Sequence, residues 1–112
     1  MVNNLCVIIR QPLGSERFTL GLRTALAAQV GGFETELVFM GDGVHSLTGA
    51  LPAYLAKTLA TFIDNEGRVS CLREDLERRG IAPTGLSLLG VDLLSRDQAA
   101  SMLEDTDSIH VF

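Results

Sequence analysis

The sequence predicts an α/β fold: a single three-layer α/β/α domain, residues 1–112, built on a mainly parallel five-stranded sheet. Three observations predict it. Short apolar runs alternate with longer segments of helical periodicity, in the order β-α-β-α-β-α-β-α-β, which is the pattern of linked βαβ units. The first run, NLCVIIR, is almost continuously apolar, as a strand covered on both faces must be. The length of 112 residues allows one core and no second.

Residues 4–10 are the first strand, and QPLGS is the loop after it, with Ser15 placed to cap a helix. From Glu16 to Val30 the apolar residues Phe18, Leu22, Leu26 and Val30 recur every fourth position, so one helical face is expected to be buried. Gly31 and Gly32 end that helix. TELVFM is the second strand, closed by GDG at 41–43, and VHSLTG is a short helical turn. LPAYLAKTLATFIDNEG is a helix starting near Pro52. RVS is a brief third strand, LREDLERRG a helix closed by Gly80, and APTG a loop. LSLLGVDLLS holds a fourth strand near Val91, Ser95 starts the last helix, and SIHVF is the fifth strand.

Apolar residues make up 46% and charged residues 21% of the chain, ordinary values for a globular domain. A positive mean hydropathy of +0.26 on so small a protein points to apolar surface covered by another subunit. The net charge is −5 and the nine basic residues are scattered, so direct nucleic-acid binding, which needs a concentrated positive face, is not expected. No apolar run is long enough to span a membrane. The N-terminal apolar stretch is short and followed by its basic residue, the reverse of a secretory leader. A cytoplasmic location is therefore expected, with Cys6 and Cys71 reduced. Two isolated cysteines make no zinc site, and neither a metal nor an organic cofactor is implied.

In an open α/β sheet, ligands bind beyond the carboxyl ends of the strands. Three segments are expected there. Gln11, Gly14 and Ser15 lead into a helix N-terminus that favours anions, but the loop lacks the glycine fingerprints of nucleotide sites and reads first as an ordinary capped βα connection. Asp42 sits between two glycines with His45 three residues on; this is a candidate acid or base, or a plain turn. In RVSCLREDLERRG, Cys71 stands where a β-branched stretch gives way to an amphipathic helix. A helix N-terminus lowers a thiol's pKa, Arg68 and Arg73 would add to that, and Glu74 and Asp75 would oppose it. Cys71 is a candidate catalytic thiol, or a small buried residue. Cys6 lies inside an apolar strand and reads as core. His110 projects opposite to Ile109 and Val111 and stays outside the site.

The opening strand with its RQPLGS loop, the helix FTLGLRTALAA, the turn LVFMGDGV, the helix ending ERRGI and the close DTDSIHVF are together similar to the DsrE/DsrF/DsrH-like (TusBCD-like) family of small sulfur-relay proteins. The best single likeness is to the DsrF/TusC branch. The resemblance implies a three-layer α/β domain that assembles as a homo-oligomer, trimer or hexamer, or as a hetero-oligomer with paralogous subunits. It also implies sulfur donor and acceptor proteins, and persulfide transfer that feeds tRNA thiolation in some members and sulfur oxidation in others. The family's relay cysteine lies before the helix ending R-G, near Cys71. Counting back from Arg79-Gly80 it falls on Leu72, one residue away, and at a helix start such a slip turns a side chain by about 100°. The branch itself is associated with structural support of the relay.

Two readings follow. Either Cys71 is a persulfide carrier, or the chain is a non-catalytic subunit whose apolar surface builds a ring. A small anionic-ligand-binding domain is the further alternative.

Overall fold

A computed structural model describes residues 3–87 and 90–112. The chain runs β1 (Asn4–Ile9), α1 (Glu16–Val30), β2 (Glu34–Phe39), a 3-10 helix (Gly41–Leu47), α2 (Ala53–Asp64), β3 (Arg68–Leu72), α3 (Arg73–Arg78), a 3-10 turn (Pro83–Gly85), β4 (Asp92–Leu94), α4 (Arg96–Glu104) and β5 (Ser108–Val111). The sheet order is β4-β3-β2-β1-β5 and every pairing is parallel. The expected three-layer α/β/α architecture is therefore present.

Strand alternation divides the core in two. Val7, Ile9, Leu37, Phe39, Val69 and Cys71 point to one face and pack with Phe18, Leu22 and Ala25 of α1, Leu55, Leu59 and Phe62 of α2, and Leu76 of α3. Cys6, Ile8, Val38 and Met40 point to the other face, under Ala99, Met102 and Leu103 of α4. This follows from the strand order. Three successive crossovers step the same way, so right-handed connections put α1, α2 and α3 on one side; the return from β4 to β5 puts α4 on the other. The continuous apolar run of β1 reflects this double cover.

The caps explain where the helices begin. The Phe18 N–H donates to Ser15 Oγ at 3.1 Å, and Ser95 and Gln98 form a reciprocal capping box on α4. Gly32, at φ +97°, takes the left-handed position that ends α1.

Three expectations differ in detail. Val30 is 73% exposed, although it continues the four-residue spacing of Phe18, Leu22 and Leu26. Each four-residue step overshoots a helical turn by about 40°, so the third step carries Val30 off the buried face. The third strand is longer than RVS, because Cys71 and Leu72 pair with Leu93 and Leu94 of β4, and α3 is correspondingly shortened to six residues. APTG contains one 3-10 turn. Of the segment read as holding the fourth strand, Leu88 and Leu89 lie outside the described residues.

Candidate functional site

The loops after β1, β2 and β3 all emerge at the carboxyl end of the sheet, as expected for a site. The loop after β4 emerges there too, but it leaves for the opposite face, so the connection reversal lies between β3 and β4. Arg73, Glu74, Ser95 and Arg96 flank that shallow crevice. Glu74 is already engaged by Arg78 at 2.6 Å and Arg96 at 3.3 Å.

Cys71 is the penultimate residue of β3, not the first residue of a helix. Its side chain is fully buried, packed on the α1–α3 side with Phe39, Val44 and Leu76. Burial, followed by the negative charge of Asp75, pushes its thiol up to about 11. That is the direction opposite to an activated nucleophile. Cys6 is equally buried on the other face of the sheet, and burial followed by Glu36 pushes it up to about 12. The two thiols are separated by the sheet itself.

A set of contacts closes Cys71 in. The 3-10 helix after β2 folds back so tightly that a Cβ on Gly43 would run into the Ile9 carbonyl. Asp75 accepts the Gly41 N–H at 2.8 Å, and Arg79 reaches across to Asp42 at 2.9 Å while staying within 3.8 Å of Asp75. Asp42 is thus a tether between the β2 loop and α3. His45 is exposed on the same 3-10 helix, and its carbonyl accepts from Thr48.

The other candidates are not gathered around the thiol. Arg68 begins β3, at the far end of the strand and on the α4 side, where it lies 3.9 Å from Glu36. Arg73 is exposed at the start of α3. Gln11 and Gly14 lie in an exposed loop, and Ser15 spends its hydroxyl on the α1 cap. Leu72, the residue on which the family register falls, packs instead on the α4 side. A one-residue slip at this point changes the face of the sheet, a larger change than the helical rotation expected from the sequence.

Residues outside the sequence-derived candidates complete the region: Asp75, Arg79, Glu74 and Arg96. The i,i+4 spacing of Asp75 and Arg79 was a visible signal for one contact; the link to Asp42 depends on the fold. An apolar hollow of about 570 Å³ lies elsewhere, between α2 and the segment 46–51, and holds none of the candidate residues.

The sequence profile of the DsrE/DsrF-like family matches residues 3–112. Among solved structures, the chain is similar to the ychN protein from E. coli, with a TM-score of 0.78, 22% identity and full coverage of both chains. It is also similar to a protein of unknown function from Methanobacterium thermoautotrophicum, with a TM-score of 0.73 and 19% identity, over 96% of this chain and 99% of that one. No curated protein sequence matches it.

Proposed function

The chain belongs to the DsrE/DsrF-like family, and we propose that within it the protein acts as a supporting subunit of a sulfur-relay-type oligomer rather than as the sulfur carrier. The family ties the chain to sulfur-relay-related function in general. The finer reading rests on one observation: Cys71 is fully buried and its thiol is pushed up to about 11. A carrier must present a thiolate that attacks the outer sulfur of a donor persulfide, forming a new S–S bond as the donor's thiolate leaves. A thiol pushed up that far is almost entirely protonated at pH 7, and this one is fully buried.

In this reading Cys71 and Cys6 are packing residues. Sulfur transfer then belongs to a paralogous subunit with an accessible thiol, the arrangement that the resemblance of the sequence to the DsrF/TusC branch implies. Asp42 and Arg79 then serve to hold the β2 loop over the core. The cytoplasm, with thiols reduced, is the fitting compartment.

The test is thiol accessibility in the folded chain. Iodoacetamide at neutral pH is expected to leave both cysteines unmodified while labelling both after unfolding in urea. Rapid labelling of Cys71 in the native protein would overturn the proposal and restore the carrier reading.

A further inference from the structure

Among the described residues, the outer edge of β5 carries no further strand. The Phe112 N–H donates to the Ile8 carbonyl at 2.8 Å, and the Arg10 N–H donates to the Phe112 carbonyl at 2.7 Å. In a parallel ladder a residue turns both backbone groups to one side and its neighbours turn theirs to the other. Ser108, His110 and Phe112 therefore face β1, and Ile109 and Val111 turn their N–H and C=O groups outward. The side chains of Ile109 and Val111 are 44% and 49% exposed. Leu20, 53% exposed, stands one turn along α1 from Arg17, the residue that reaches this edge. Three of the exposed large apolar side chains thus surround one short strand.

The edge is also polarised. Asp105 and Asp107 precede it, and Arg17 stands at its end, its guanidinium donating to the Val111 carbonyl at 3.0 Å and lying over the Phe112 ring. Of the polar groups around the edge, the Val111 carbonyl is taken by Arg17, and the Asp107 N–H is taken by Asn4 Oδ1 at 2.6 Å.

We infer that β5 pairs antiparallel with β5 of a second copy of this chain, about a two-fold axis at Ile109. In that register the two Ile109 residues exchange N–H···O bonds. Each Val111 N–H meets the Asp107 carbonyl of the other copy. The other two groups of that pair, the Val111 carbonyl and the Asp107 N–H, face each other but are each already satisfied within their own chain, so the pair is held by one bond. The antiparallel sense sets the acidic start of one strand against Arg17 of the other. A parallel pairing would set acid against acid, which is unfavourable. Ile109 then packs on Ile109 across the axis, on the face that α4 leaves open. A contact this short is in the range of weak interfaces, so it is expected to depend on concentration.

This inference names a contact for the assembly proposed above and rests on that reading only to the extent that the chain self-associates. The experiment measures mass and amide protection, with no sulfur chemistry, so the two can fail separately. Light scattering on the full 12.0 kDa chain is run across concentration beside Ile109→Lys and Ile109→Pro. The proline removes an N–H that the β1 ladder does not use, and circular dichroism melts check that each variant is folded. The expected result is an even multiple of the chain mass for the wild type, a twofold smaller species for each folded variant, and slow exchange of the Ile109 and Val111 amides in the associated state. A wild type monomeric up to millimolar concentration, a mass unchanged in Ile109→Lys, or fast exchange of the Ile109 amide in the associated state would each overturn it.

Discussion

The carboxyl end of β3 and the outer edge of β5 belong to one sheet, and the chain treats them in opposite ways. At the end of β3 sits the residue with the most chemistry to offer, Cys71, and the fold closes over it with a 3-10 helix, α3 and the Asp42–Arg79–Asp75 contacts. Along β5 there is little chemistry, one Ser108–His110 hydrogen bond of 2.8 Å, and the fold leaves backbone and apolar side chains open to solvent. A carrier would be expected to show the reverse: an open thiol and a guarded edge. On the proposal made above, the molecule meets others through its surface and its thiols serve as packing residues.

The largest effect expected from this contrast is in stability. Leu76→Ala, beside Cys71 in the core, should cost about 2–5 kcal/mol. Ile109→Ala, on the open edge, should change the stability of the monomer by no more than about 0.5 kcal/mol. Urea denaturation of the two variants at low protein concentration compares them directly, and equal losses would erase the distinction between the two regions.

Next comes alkaline pH. Both thiols have folded pKa values raised above the ordinary 9.0, to about 11 and about 12. Their contribution is fully present below the ordinary thiol value and is lost as pH rises through the folded values. Stability should therefore fall between about pH 9 and 12, the Cys71 part of the loss being complete by about pH 11. Cys71→Ala should start from a lower stability and show a shallower fall over that window. A parallel fall in the variant would mean that Cys71 is not the titrating group.

The smallest effect is at the seal. Arg79→Ala removes a partly exposed ion pair to Asp42 and a longer one to Asp75, together worth about 1 kcal/mol. It should nevertheless speed alkylation of Cys71 severalfold while leaving Cys6, on the other face of the sheet, unchanged. Mass spectrometry of peptides from partly labelled protein reads both sites in one sample. Equal acceleration at Cys6 would indicate general loosening, not the loss of a local cover.

The fold was legible because its signals are local. The unbroken apolar run of β1, the punctuation by Gly31-Gly32 and the caps Ser15 and Ser95 each state an element within a few residues. The candidate site was less legible because its meaning depends on pairing between distant segments. The end of β3 reads locally as the start of a helix, but Phe39 of β2 on one side and Leu93 and Leu94 of β4 on the other draw Cys71 and Leu72 into the sheet. Once they are in a strand, alternation from Val69 sends Cys71 into the core and Leu72 to the opposite face. Arg68 looked close to Cys71 along the chain, but an extended strand carries it to the far end. The open edge was invisible for a similar reason: SIHVF reads as a strand, and nothing in those letters says that it will lie outermost.

The most direct test of the central claim is intact-mass spectrometry of the reduced native chain after exposure to glutathione persulfide, with Cys71→Ala alongside. A supporting subunit is expected to show no sulfur-sized mass gain in either protein. A gain in the wild type that is absent from a folded Cys71→Ala variant would contradict that account and make Cys71 the carrier.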